Sequence, residues 1–519
     1  MKTLSRGNMK ATFIMAGKIV LTLCLAVLFV LGLSCKRTRD ITDVILGDKK
    51  SPFFLNVQEY PENDKTLPIG IFDSGTGGLA VLNQIIELDQ FDNLSRSFHE
   101  AGDGRPDFDR ESFIYLADLA NMPYGGYAIE SNIELLVEHI IKNVQFLMGN
   151  RYYRTADSPQ YQEDKLPVKA IVIASNTATA YGMEAIRNFL KRAEIDLPLI
   201  GVIDAGAKGA LDYFAANQDG SIAVLATAGT VKSEAYIRAI ESWKKKLGHK
   251  GEIMIFQQAG VGIAEAIDER SDFIDRKASA PREGYRGPTE TRSDELRIDL
   301  SLWDRYGFDM EGNSMLFENG PKNPENIQIN SVENYIAFHL VYLMEKIRKT
   351  EGAKPLRVVI LGCTHYPFFR EAFQNHLNRL RNHQEDGQYI YRALMAEEIK
   401  IVDPAIIVAR KLYDLLTSRE LYNDVGNGLE NSEFYVSVPN LLNENIRLGP
   451  DGAFTHAYKY GRRAGDIQKY VKCVPFSRKT VPGYILDRLS IQIPTVFELI
   501  VRFNRENPKT TFLLEDERI

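Results

Sequence analysis

Short apolar runs rich in Val and Ile alternate with stretches of helical spacing along most of this chain. "IGIFD" (69–73) predicts a strand ending in a Gly-rich turn, and "GLAVLNQIIEL" (78–88) a helix after it. "FIYLAD" (113–118) and "VKAIVIAS" (168–175) read as strands, with an amphipathic helix over 133–148 between them. The second run is almost wholly apolar, as a strand covered on both faces of a parallel sheet must be. "AYGMEAIRNFLKRA" (180–193) follows as a helix, then "LPLIGVID" (197–204), "SIAVLAT" (221–227) and "EIMIFQ" (252–257) as strands. A helix over 332–350, the strand "RVVILG" (357–362), a helix over 368–380 and "IKIVDP" (399–404) complete the alternation. This order predicts an α/β fold with parallel sheets flanked by helices.

Polar segments interrupt that core. Residues 90–112 and 150–165 are charged and unpatterned, and 268–330 is the longest such insertion. A stretch of that length is functional or disordered, and its composition favours a surface elaboration over a lid. Past about 430 the alternation fades. The Lys and Arg residues of "FTHAYKYGRRAGDIQKYVKCVPFS" (454–477) are expected on a solvated face.

The N-terminus follows another logic. Lys2, Arg6, Lys10 and Lys18 accompany the mostly apolar "IVLTLCLAVLFVLGLS" (19–34), which ends at Cys35. A basic start, a short apolar core and a small residue before the break are the layout of an export signal. A membrane span needs about 20 residues, and this run is shorter. "LGLSC" resembles a bacterial lipobox, which makes Cys35 the expected site of lipidation. The expected location is the bacterial cell envelope, on the periplasmic side, with the membrane engaged through that lipid. An uncleaved anchor and a cytoplasmic protein are the alternatives. Residues 36–66 then read as a polar tether, 67–430 as the core with its insertions, and 431–519 as a C-terminal extension.

Composition narrows the chemistry. The chain carries 69 acidic and 63 basic residues among 519, for a net charge of −6. Without a basic stripe, nucleic acid is not an expected partner. Four cysteines lack any CxxC and eight histidines lack any HExxH, so no metal site is expected.

Three strand ends hold the candidate chemistry. "DSGTGG" (73–78) lies at the carboxyl edge, where open α/β sheets bind ligands. Its glycines let backbone N–H groups approach a carboxylate or phosphate. The run is neither GxGxxG nor a P-loop, and such turns are as often structural. "IVIASNTATA" (171–180) and "VVILGCTHYP" (358–367) echo each other, with Ser175-Asn176-Thr177 matching Cys363-Thr364-His365. Backbone N–H groups where a strand enters a helix favour an anionic ligand and lower a thiol's pKa. Cys363 is therefore a candidate base or nucleophile, Asp73 a group to orient or charge it, and His365 a neighbour two residues away. A buried cysteine is otherwise an ordinary small hydrophobe, and the pattern alone leaves both readings open.

Six blocks occur in order: "IGIFDSGTGGLAVL", "IYLADLANMPYG", "IVIASNTATA", "IGVIDAGA", "TAGTVKSEAY" and "VILGCTHYPFF". Together they resemble the glutamate racemases of the aspartate/glutamate racemase superfamily. The resemblance implies two pseudo-symmetric α/β domains with the active site between them, no cofactor, an acidic amino acid as substrate, and a possible homodimer. It implies two cysteines on opposite faces of the substrate's α-carbon, one removing the α-proton and the other returning one. Such a carbanion must be held by preorganised donors, and inversion needs a proton donor on each face. By this match Cys363 is the second catalytic cysteine, and Asp73 and His365 assist the thiols. Ser74, Tyr124, Gly125, Asn176, Thr177, Thr230 and Thr364 match the groups that hold the substrate's carboxylates and ammonium. Glu265 aligns poorly with an acidic family position and is not assigned a role.

The main departure is Ser175, which stands where the family has its first catalytic cysteine. Leu119 and Asn121 also replace the family's usual Thr and Arg. A thiol with a pKa of about 8.5 reaches thiolate readily, whereas an aliphatic hydroxyl cannot be a standing base. Ser175 can relay a proton only if a group such as Asp73 accepts it. Three outcomes follow: an asymmetric or weakened racemase; a lyase resembling the single-cysteine arylmalonate decarboxylases; or a non-catalytic binder of acidic amino acids or cell-wall fragments. The resemblance links D-glutamate to peptidoglycan synthesis, a cytoplasmic pathway that an exported copy would not obviously serve. A Ser/Cys site would avoid the disulfide that two facing thiols risk in an oxidising compartment, although Cys473 remains a possible partner for Cys363.

Overall fold

The computed structural model of the protein describes residues 39–99, 101–320, 324–425 and 428–519. The expected export signal and its Cys35 lie outside the described residues. Two sheets form the framework. The first holds β1 (Ile69–Asp73), β2 (Phe113–Ala117), β3 (Ala170–Ile173) and β4 (Leu199–Gly201). The chain then enters a second sheet with β5 (Gly220–Ala226) and β6 (Ile253–Ala259), makes a small hairpin of β7 (Met315–Glu318) and β8 (Glu325–Ile329), and returns with β9 (Leu356–Gly362). A two-residue hairpin, β10 (Gln384–Glu385) and β11 (Gln388–Tyr389), precedes β12 (Met395–Val402), the last strand of the second sheet. Finally β13 (Glu433–Pro439) and β14 (Val471–Pro475) go back to the first sheet.

The orders are β14-β13-β2-β1-β3-β4 and β12-β9-β5-β6. Every pair is parallel except β13–β14, the antiparallel edge. Parallel strands must be covered on both faces, which explains why β1, β2, β3 and β5 are buried at every position. The helix Ile133–Met148 falls where its spacing placed it. "LPLIGVID" does not stay extended: β4 stops at Gly201, and Val202–Leu211 is helical. Gly201 has no room for a side chain, since a Cβ there would lie 2.5 Å from Thr179 Cγ2.

Two other expectations change. From Asp40 onward the supposed polar tether is folded: Ile41–Gly47 is a helix capped by Asp40, with Ile41, Val44 and Ile45 buried. Asp40 and Asp43 also pair with Arg192. The tail is not a solvated face either. Phe434, Tyr435, Val436 and Phe476 are fully buried in the first domain's core, with Val496, Ile500 and Phe503 of the helix Pro494–Glu506 packed against them. Arg462 is buried among the rings of Phe454, Tyr458 and Tyr470, and Lys472 donates to the carbonyls of Ala156 and Ser158. Buried cations persist when rings and carbonyls replace the water they lose.

The described parts of the insertion 268–330 are folded rather than a free loop. Phe273, Leu296, Ile298 and Tyr306 pack on the helix Val332–Lys349 in the second domain's core. Its first residue, Asp268, has a different role.

Candidate active site

Parallel register brings the strand ends level. Asp73 ends β1 opposite Ala117, Phe72 pairs with Ile173 of β3, and Ala226 pairs with Gly362 of β9. The three polar turns therefore leave the carboxyl edges of their sheets.

The turn after β1 is the hinge of the arrangement. Asp73 is buried, and its Oδ2 accepts the Gly78 N–H at 2.8 Å while Oδ1 accepts the Ser74 hydroxyl at 3.4 Å. Burial pushes its carboxyl up, against the opposing charge of His365 and the N–H groups of Gly78, Ser74 and Gly75. Tyr115 pins the turn by donating to the Gly75 carbonyl at 2.7 Å. Two glycines here have no space for a side chain. A Cβ on Gly78 would lie 2.5 Å from Asp73 Cβ and 2.9 Å from Ala174 Cβ, and one on Gly77 would lie 2.6 Å from Thr364 Oγ1 and 2.7 Å from His365 Cε1. The DSGTGG turn is thus wedged between the end of β3 and the end of β9, touching both.

The end of β3 is organised as a helix cap. Ser175 Oγ accepts the Ala178 N–H at 3.3 Å and opens the helix Asn176–Ala193. Asn176 Oδ1 accepts the Tyr236 hydroxyl at 2.8 Å. Thr177 Oγ1 lies 3.2 Å from Thr227 Oγ1 and 3.3 Å from Thr230 Oγ1, so three hydroxyls join the first domain to the turn after β5. A Cβ on Gly229 would lie 2.9 Å from Gly125 Cα and 3.5 Å from Thr177 Cγ2, which places the Tyr124-Gly125 segment against the same turn. The Tyr124 side chain itself is spent internally: its hydroxyl donates to Asp118 Oδ2 at 2.6 Å and accepts from Asn143 at 2.8 Å. Only the backbone of Tyr124-Gly125 remains to meet a ligand.

The end of β9 carries charge. Cys363 is buried, with Sγ 3.6 Å from His365 Nδ1. On the other side of the ring, Nε2 lies 3.2 Å from Asp268 Oδ2, an ion pair without the alignment of a directed hydrogen bond. Asp268 Oδ1 in turn accepts from Arg488 Nη1 at 2.7 Å. Burial alone would lower the His365 pKa, but the Asp268 carboxylate and the neighbouring Cys363 outweigh it and hold the imidazole well above its usual range. Burial likewise opposes an ionised Asp268, and His365 and Arg488 together hold it well below the usual carboxylate range. The result is an imidazolium beside the Cys363 thiol.

The structure thus gathers Asp73, Ser74, Asn176, Thr177, Thr230, Cys363, Thr364 and His365 around one junction, with Ser175 beside it. A small cavity there is lined by Asn176, Cys363 and Thr364. Between Ser175 and Asp73 no hydrogen bond forms among the described residues, since each is engaged elsewhere. Glu265 caps its own helix by accepting the Gly262 N–H at 3.1 Å, and the acid at His365 is Asp268. Cys473 is a free thiol on the antiparallel edge, in register with Ser437, and burial pushes it up to about 12. Cys363 is also free. Among the described residues, no group of three or more His, Cys, Asp or Glu could hold a metal ion.

The chain is similar in sequence to known glutamate racemases. A glutamate racemase of Stutzerimonas stutzeri is 25% identical over 374 residues, covering 72% of this chain and 90% of the relative. One from Fusobacterium nucleatum is 23% identical over 361 residues, covering 70% and 85%. Over most of its length the chain is thus similar to known glutamate racemases. No family model matches it. Among solved structures, glutamate racemase of Francisella tularensis in complex with D-glutamate matches at 20% identity and a TM-score of 0.38, covering 77% of this chain and 95% of that one. Sequence reasoning missed Asp268 and Arg488, one at the head of an irregular insertion and the other in the tail.

Proposed function

We propose that this protein is an amino-acid racemase of the glutamate type, working by cofactor-independent α-proton transfer on an acidic amino acid. The observation that carries the reading is the Cys363–His365–Asp268 series, a thiol 3.6 Å from an imidazole that is itself 3.2 Å from a carboxylate. Cys363 takes the α-proton as thiolate, and His365 balances its charge. The amide of Asn176, the hydroxyls of Thr177, Thr230, Thr364 and Ser74, and the backbone at Tyr124-Gly125 hold the carboxylates and the ammonium, as preorganised donors that oppose the growing carbanion charge.

The two faces are unequal. Ser175 caps a helix, and its hydroxyl is a far weaker acid than a thiol, so the proton supplied on its face comes slowly. Turnover is weakened and asymmetric: the enantiomer whose α-hydrogen faces Cys363 exchanges faster than it inverts. The engaged state of Ser175 also supports a second reading, a binder of acidic amino acids that no longer turns them over.

Incubation with L- and D-glutamate in D₂O separates these readings. The racemase reading expects α-deuterium in one enantiomer well ahead of change in optical rotation. Measurable binding with no exchange from either enantiomer would leave the binder.

A further inference from the structure

Arg488 belongs to the helix Gly483–Gln492, near the end of the chain, yet its guanidinium reaches the acid behind His365. Nη1 donates to Asp268 Oδ1 at 2.7 Å and to the Ile267 carbonyl at 2.8 Å. The guanidinium centre lies 5.9 Å from the Phe368 ring, just beyond the GCTHYP turn. Among the described residues its Nε and Nη2 are buried without a partner. A buried cation with idle donors is costly unless an anion compensates it, and Asp268 is that anion while already serving His365 through its other oxygen. Neighbouring charges do not relieve Arg488 of this role. Arg270 is held by Asp272, Glu269 by Arg276, and Glu265 by its own helix start, while Asp73 faces His365 from the first domain and Tyr484 lies near Asp268.

We infer that Arg488 is a positioning residue of the site: it fixes one oxygen of Asp268, so that the other faces His365, and it adds a second positive charge behind Cys363. Counting His365, Asp268 and Arg488 as ionised, the group facing the thiol carries a net single positive charge. Without Arg488 it carries none, and the thiolate loses its support. The catalytic consequence rests on the racemase reading; the effect on the thiol does not.

The test is a thiolate titration of the full chain, read as the ultraviolet absorbance difference between each protein and its Cys363→Ala counterpart. Arg488→Gln should move the Cys363 midpoint upward by about one pH unit, roughly tenfold less thiolate at a given neutral pH. Arg488→Lys, which keeps the charge, should recover most of that shift. If Arg488→Gln fails to fold because Asp268 is stranded, Asp268→Asn with and without Arg488→Gln gives the same comparison, and the double variant should titrate higher. Coincident midpoints in either comparison, or a Lys variant shifted as far as Gln, would overturn the inference. Because the titration needs no turnover, a protein that never exchanges glutamate can still uphold it. In a protein that does exchange, Arg488→Gln should lower kcat and leave KM nearly unchanged, since Arg488 meets no substrate group.

Discussion

The ends of β3 and β9 occupy equivalent places in two sheets and have been put to different uses. At β9 the thiol of Cys363 is backed by an imidazole, a carboxylate and a guanidinium drawn from three separate parts of the chain. At β3 the hydroxyl of Ser175 accepts a backbone N–H and starts a helix. A proton-transfer residue needs more than a position at a carboxyl edge: it needs neighbours that stabilise its charged form. The end of β9 has kept that supporting shell, and the end of β3 has a cap.

The sharpest way to break the contrast is Cys363→Ala, which should reduce α-deuteration of either glutamate enantiomer by at least about 10³-fold. Exchange that survives this change would move the base elsewhere. Asp268→Asn comes next. It leaves His365 without its counter-ion, and exchange near neutral pH should fall by about 10²-fold, measured beside an intact melting curve. Ser175→Cys should work in the opposite direction and raise inversion about tenfold or more, because a thiol can supply the proton that the hydroxyl withholds; a silent variant would show that the β3 side has lost more than one group. Ser175→Ala should lower thermal stability by about 1 kcal/mol through loss of the cap, with exchange on the Cys363 face retained. If exchange is lost as well, Ser175 takes part in proton transfer.

The pH dependence of stability sharpens the same contrast more gently. His365 is raised, so its contribution is complete below the ordinary value of 6.5 and is lost as pH rises through the folded value. Asp268 is lowered, so its contribution is present above the ordinary 3.8 and lost as pH falls through its folded value. Chemical denaturation across pH should therefore show His365→Asn flattening the alkaline limb and Asp268→Asn the acid limb, while Ser175→Ala shifts the whole curve without changing its shape.

Much of this was legible from the chain. A buried parallel strand writes itself as a continuous apolar run, and its abrupt end in small polar residues marks the carboxyl edge. Asp73, Asn176, Thr177, Cys363 and His365 were readable for that reason. Asp268 was not, because it begins an insertion without periodicity and reaches His365 only once the helix Ile263–Ile267 has set its direction. Arg488 was hidden among ordinary amphipathic positions. The strand β13, "EFYVSVP", is too short to show alternation, and it is the β2 edge waiting beside it that makes it a strand. Tyr124 shows another limit: its neighbours point to a ligand, while its hydroxyl is taken by Asp118.

The late return of the chain to the first sheet also bears on the order of synthesis. β1, β2 and β3 emerge early, but β2 stays an open edge until β13 and β14 arrive more than three hundred residues later. An unpaired apolar edge is a template for pairing with another chain. The nascent protein must therefore carry that exposed edge through most of its translation, and any product terminated before residue 433 keeps it for good. Such a fragment would present the Ser175 side of the site on a sheet that cannot close, with neither the last two strands nor Arg488 to complete it.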